Sequence, residues 1–283
     1  MLISLAVTAG VLGLAAHMAM GQLRFYRGVG DVAAIKTQIG QSSSIVASLL
    51  WGISPNAGDI VVALDTALEI RLTLGTAVTC ESSPGRITIP AATTSRGNSL
   101  AAYAEAPEPG DRVAAFFDDS LSPGWIGLRV ASHPVSGGAC ALFPSVDATW
   151  TLDLQERVVV PPGSALRFMR PLRLSLYRAS DSQWYLGARD WNGDAQRFNT
   201  IQPVAGPLRP HDADGEKTGL LFSYFGIDGA ALPQLSDPAQ IVAVRIMSRG
   251  LSTRAVRLVG IASDAGALYE DSVAVRVAFR NVP

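Results

Sequence analysis

Lysine is nearly missing from this sequence. Only Lys36 and Lys217 stand against 21 arginines in 283 residues, which leaves amine-dependent chemistry few candidates. Charge is scarce as well: 17% of the chain, with a formal net charge of −1 and a pI near 6.3, against a usual ~25% charged. That balance argues against nucleic acid as the main partner, because such binding rests on a concentrated basic field. No glycine motif of the Walker or Rossmann kind is present. The three histidines, His17, His133 and His211, have no Ser, Cys or acid at a recognisable catalytic spacing, so no catalytic residue, cofactor-binding residue or metal ligand is assigned, and no cofactor. No repeat period and no second long helical pattern appear. What is abundant is apolar: 48% hydrophobic residues, enough to exclude disorder, with 27 Gly and 17 Pro pointing to many turns.

The charge is also unevenly placed. Between Met1 and Leu23 there is no Asp, Glu, Lys or Arg, a run that as a helix would measure about 35 Å and cover a ~30 Å hydrocarbon core. Leu2, Ile3, Leu5, Val7, Val11, Leu12 and Leu14 are its apolar side chains. A buried core helix and a cleaved signal peptide are alternatives, although a positive n-region is lacking and Ala19-Met20-Gly21 is a poor cleavage pattern. Arg24, Phe25, Tyr26 and Arg27 then supply the charge and rings of a membrane-exit belt. Val32, Ile35, Ile39, Ser42, Val46 and Leu49 continue at helical spacing, and Trp51, Gly52 as a C′ residue and Pro55 predict the stop. One helix is therefore expected over 1–52, transmembrane through 23 and amphipathic from 24.

From residue 53 to 283 the period becomes two. Leu68, Ile70, Leu72 and Leu74 alternate with polar residues, as do Leu172, Leu174 and Leu176, then Val242, Val244 and Ile246, then Val273, Val275, Val277 and Phe279. This is the habit of half-buried antiparallel strands. Shorter strands are expected at 60–63, 78–80, 86–89, 113–117, 125–130, 150–154 and 220–225. Ser83-Pro84-Gly85, Pro109-Gly110, Gly137-Gly138, Pro161-Pro162-Gly163 and Asn192-Gly193 mark turns.

Cys80 and Cys140 follow the apolar run. A disulfide between them would close a 60-residue separation and stabilise an exported fold by roughly 4 kcal/mol; two unrelated core thiols are the alternative. Asp190, Asn192 and Asp194, and then Asp212, Asp214 and Glu216, place oxygens at alternate positions as a calcium loop does, but neither set has a distal bidentate glutamate, so solvated turns stand beside that reading. Asp118-Asp119 reads as a solvated turn. Trp184, Tyr185 and Trp191 fit either a sugar-stacking surface or the core.

The opening MLISLAVTAGVLGLAA with Gln22-Leu23-Arg24-Phe25-Tyr26-Arg27 resembles the N-terminal helix of type IV pilins and type II secretion pseudopilins. Leu176-Tyr177-Arg178, Gln183-Trp184-Tyr185-Leu186, Gly219–Phe225 and Val275–Asn281 resemble the C-terminal half of PilW-like minor pilins. In that family a basic leader and a Gly-Phe-Thr-Leu-Ile-Glu stretch precede the helix. They would fall before Met1, and a mis-assigned start is the expectation. The resemblance implies an α+β, pilin-like fold: a long N-terminal transmembrane and amphipathic helix packed on an antiparallel β-rich domain. It implies a non-enzymatic minor pilin or pseudopilin that helps assemble, prime or cap a type IV pilus or type II secretion pseudopilus. Its partners would be other subunits, the inner-membrane assembly platform and lipid, with the β domain on the periplasmic or extracellular side. The competing class is a secreted or anchored β-domain binding module of adhesin or carbohydrate-binding type that uses the apolar run only for export.

Overall fold

The computed structural model describes residues 2–92, 100–118, 124–212, 215, 217–233, 237–256 and 268–279, with side chains from Gly10 onward apart from Thr253. One helix, α1 (Leu2–Leu50), runs 49 residues, about 73 Å. It has no acid in its first turn and no base in its last, so its macrodipole is uncompensated there and packing must hold it. Among the described side chains packing acts on its second half, where Val32, Ile35, Ile39, Ser42, Ser43, Val46 and Leu50 are buried. Those positions recur at spacings of three and four, which places them on one stripe. The stop differs in detail from the expected one. Gly52 does not take a left-handed φ; the first glycine that does is Gly58, at φ 75°, closing a 3-10 turn over Pro55–Ala57.

Sixteen strands follow among the described residues: β1 (Ile60–Ala63), β2 (Ala67–Val78), β3 (Glu81–Ser83), β4 (Arg86–Pro90), β5 (Ala101–Tyr103), β6 (Arg112–Phe117), β7 (Gly124–Arg129), β8 (Val135–Gly137), β9 (Thr149–Asp153), β10 (Ala165–Arg178), β11 (Trp184–Asn192), β12 (Arg197–Phe198), β13 (Gln202–Leu208), β14 (Leu220–Phe225), β15 (Ala243–Ala255) and β16 (Leu268–Ala278). The backbone of the fold is the antiparallel pair β2–β10, in register from Ala165 opposite Val78 to Ser175 opposite Ala67. At one end β1 flanks β2, while β11 and then β13 flank β10. At the other end the neighbours change: β5 lies beside β2, and β6 followed by β7 beside β10. The register shifts between Phe168 and Met169, opposite Gly75 and Thr73. Such a bulge bends and twists the pair, so a single sheet turns through two sandwiches.

In the first sandwich this sheet faces β14-β15-β16, with the second half of α1 packed in. Ile39, Val46 and Leu50 join Leu68, Ile70, Leu174, Leu186, Phe222, Tyr224, Val244 and Ile246 in one buried cluster. Two details set the helix on its strand. A Cβ at Gly250 would lie 2.6 Å from Ile35 Cγ2 and 3.0 Å from Ile39 Cγ2, so only glycine lets β15 come this close. Ser42 and Ser43 both reach Ser248 Oγ, at 2.8 and 3.0 Å, which satisfies three buried hydroxyls among themselves. In the second sandwich the cover is the four-stranded sheet β3-β4-β9-β8. There Ile87, Ile89, Leu152 and Leu154 meet Val113, Ala115, Leu128, Leu166 and Phe168.

Even-numbered residues of β10 share one face, and Arg170 interrupts them between Phe168 of one core and Leu174 of the other. Its guanidinium grips the fully buried Asp111 carboxylate from Nε at 2.9 Å and Nη2 at 2.8 Å, and it also donates to Glu105 Oε2 at 2.7 Å and the Ala106 carbonyl at 3.1 Å. Burial works against the charged guanidinium, but the hydrogen bond and charge of Asp111 outweigh it, and the pKa rises.

Two expectations are corrected. The fold is mostly β, 46% strand, dominated by a curled antiparallel sheet, rather than α+β. The helix is a single element, whereas β11 and β13 add strands where Gly187 and the two prolines of β13 break the alternation. The expected transmembrane segment over 1–23 is overturned too: no helix among the described residues is long and apolar enough to cross a membrane. Gly10, Gly13, His17, Gly21 and Gln22 interrupt the apolar residues before Arg24. Leu2, Ile3, Leu5 and Val7 lie on the helix, but their side chains fall outside the described residues.

Candidate functional site

Two features of the surface differ from an ordinary polar exterior. The first is the projecting half of α1. Val11, Leu12, Leu14, Met18, Met20, Leu23, Phe25 and Tyr26 are between 50 and 71% exposed, and they point to every side of the helix. Gly10, Gly13 and Gly21 have open space where a side chain would be. Of the expected exit belt, Arg24, Phe25, Tyr26 and Arg27 are all exposed, and the Phe25 and Tyr26 rings meet edge-on at 6.0 Å. A helix apolar on all sides belongs in a covered environment.

The second feature is a cleft of about 600 Å³ on the outer face of the large sheet, away from both cores. Its floor comes from three adjacent strands: Arg112 and Ala114 of β6, Trp125 and Gly127 of β7, and Arg167 and Met169 of β10. Its wall is the turn after the helix, at Ser54, Asn56 and Ala57. The pairing explains the convergence, since Arg112 is opposite both Met169 and Arg129, and Trp125 is opposite Phe116. Arg112 lies along the backbone of β7: a Cβ at Gly127 would come within 2.6 Å of Arg112 Nη2. Phe116 braces Trp125 edge-on at 5.4 Å, and Trp125 stays 56% exposed.

The electrostatics of the cleft are lopsided. Asp59, fully buried, accepts from Arg167 Nη2 at 2.7 Å and from the Ser54 backbone N–H at 2.8 Å. Arg167 also donates to Thr73 Oγ1 at 2.9 Å and the Gly52 carbonyl at 3.2 Å. Asp59 Oδ1 has no hydrogen-bond partner. Arg71, which donates to the Gly58 carbonyl, has its pKa lowered by burial first and by the nearby charge of Arg112 second; Asp59 opposes this, Arg129 adds to it, and Glu69 opposes it more weakly. Among the described residues no ion pair within 4 Å involves Arg71, Arg112 or Arg129. Neither Trp125 nor this arginine group was singled out in the sequence. On β6, Arg112-Val113-Ala114-Ala115-Phe116-Phe117, no polar alternation marked Arg112 as facing a cleft.

The other sequence candidates are dispersed or engaged. Cys80 and Cys140 form a disulfide with Cα atoms 5.5 Å apart, buried with Val146. His17 is exposed on α1; His133 Nε2 pairs with Asp194 Oδ1 at 2.8 Å; His211 lies 6.3 Å from Trp184, ring to ring. In the first acidic loop Asp190 accepts from Asn199 and Asn192 accepts from the Ala195 N–H, so the three oxygen-bearing side chains are turned to local bonds. In the second, Asp214 and Glu216 lie outside the described residues, as does Asp119 of the Asp118-Asp119 pair. Trp184 and Tyr185 are half-buried on β11, and Trp191 packs on Phe198 at 5.5 Å with its Nε1 buried and unpartnered. Compared with known proteins, the chain matches no family model and no curated protein.

Proposed function

We propose that this chain is a structural subunit of a filament, a minor pilin or pseudopilin of a type IV pilus or type II secretion pseudopilus, that assembles through the projecting half of α1. The observation that carries this reading is the contrast within one helix: docked and half-apolar beyond Val32, exposed with apolar side chains on every side from Val11 to Leu23. Contact with like helices of neighbouring subunits would remove those side chains from water, at roughly 1.5–3 kcal/mol for each large one fully covered. The glycines at 10, 13 and 21 allow close approach of such neighbours. Ser42, Ser43, Ser248 and Gly250 tie helix and sheet into one unit, which transmits position from the helix to the β part. The disulfide supports a periplasmic or extracellular location for the β part. The partners are then other subunits and the inner-membrane assembly platform.

The test is site-directed cross-linking of the full chain in its own cells, with cysteine placed at Leu14. Cross-links to copies of itself or to similar subunits, lost when Met18, one helical turn further on, is changed to Glu, are the expected result. Recovery of a mature chain that starts near Gln22 would mark α1's first half as a removed export signal and overturn the reading.

A further inference from the structure

We propose that the arginine-lined cleft beside Trp125 binds an acidic saccharide, a sugar chain bearing carboxylate groups. This stands apart from the assembly reading, because the cleft is formed by β6, β7, β10 and the 54–57 turn and uses no residue of the projecting helix.

Three observations carry it. The first is charge. Arg112 opens onto the cleft without a carboxylate partner among the described residues, with Arg129 directly opposite it on β7 and Arg71 close enough to feel its charge. Asp59 offsets part of this charge at Arg71, but its Oδ2 is held by Arg167 and Ser54 and it makes no ion pair with Arg112. Like charges gathered on one sheet face are unfavourable until an anion joins them, and a guanidinium fork matches a carboxylate with two parallel hydrogen bonds.

The second is the ring. Trp125 is 56% exposed but not loose, since Phe116 fixes it from one edge. An indole face held open beside a cation suits the C–H face of a pyranose, which is apolar and slightly positive, against the negative π surface. An acidic peptide would use the arginines but would leave this face unused. The third is size and lining. About 600 Å³ falls within the range of small-ligand clefts, and Ser54 and Asn56 on its wall supply hydroxyl and amide groups for sugar hydroxyls. Gly127 is part of the design: a side chain there would displace the Arg112 guanidinium from its bed.

The experiment is tryptophan fluorescence and calorimetric titration of the full, disulfide-intact chain with a tetramer of glucuronate. A tetramer of glucose and a tetra-glutamate peptide serve as comparison probes. Saturable glucuronate binding at least tenfold tighter than either comparison is expected. Arg112→Gln should weaken it at least tenfold and Trp125→Ala severalfold, while Arg86→Gln, on a different sheet, leaves it unchanged. Chemical unfolding of each variant separates lost binding from lost fold, and Arg112→Lys, which keeps the charge but not the fork, should recover only part of the affinity. Glucuronate binding no tighter than glucose, or equal binding of tetra-glutamate, would overturn the proposal. The latter would make the cleft a contact for an acidic protein segment instead.

Discussion

Replacing Arg170 by Met removes a charge from the seam between the two cores and strands its partner. Asp111 has no exposed side-chain surface and holds two of the guanidinium bonds, at 2.9 and 2.8 Å. After the change it keeps only the Glu108 backbone N–H at 2.7 Å. Breaking a buried pair in this way costs about 3–5 kcal/mol, because the remaining charge stays desolvated without its counter-charge. Glu105 and Glu108 add little to that figure, being 64 and 39% exposed, where pairs are worth about 0–1 kcal/mol. The same bound applies to Arg86–Asp153, exposed by 59 and 45%, so Arg86→Gln is the internal control. Guanidinium unfolding of the full chain, in detergent that covers the projecting helix, should show Arg170→Met lowering the midpoint by the larger amount at unchanged slope. Arg170→Met combined with Asp111→Asn should cost less than the two single changes added together, since the stranded charge is gone. An Arg170→Met protein no less stable than Arg86→Gln would refute the reasoning that this pair is buried and joined.

Gly250→Val pushes a side chain into Ile35 and Ile39; overpacking of this kind costs about 1–3 kcal/mol, and limited proteolysis should show α1 cut within residues 30–50 while the β part persists. Reduction, or Cys80→Ala with Cys140→Ala, opens a loop of 60 residues and should cost roughly 4 kcal/mol, read as a drop in unfolding midpoint on adding reductant. Tyr224 is buried and Tyr103 partly so, and desolvation raises both phenols far above the ordinary tyrosine range. Their contribution is intact below the unfolded value of about 10 and is lost as pH rises above it; ultraviolet titration should leave at least these two tyrosines un-ionised at pH 11 until the protein unfolds.

Local chemistry made much of this fold readable from the chain. The stripe from Val32 to Val46 has a period that only a helix satisfies, and the alternations at 68–74, 172–176 and 273–277 have one that only a strand satisfies, so type and burial followed directly. Gly85, Gly110 and Gly163 sit at φ between 79 and 90° where Pro-Gly sequences announced turns. Gly137 instead joins β8, paired with Thr149 on β9, because a Gly-Gly pair permits a turn without requiring one. The uncharged run over 1–23 carried the expectation of a span, whereas among the described residues no helix is long and apolar enough to cross a membrane.

The sequence by itself determined the long helix with its apolar stripe, the strand periodicity and the scarcity of charge, since each depends on neighbours within a few residues. Tertiary structure alone decided the rest. The bulge at Phe168 and Met169 sends one strand pair through two cores, and that path leaves Arg170 on their border. Arg71, Arg112, Arg129 and Arg167 come from four strands, nearly 100 residues apart at the extremes. Of these, Arg112 and Arg167 line the cleft with Trp125, and Arg129 stands opposite Arg112, only because antiparallel register sets those positions side by side; no local spacing encodes that pairing.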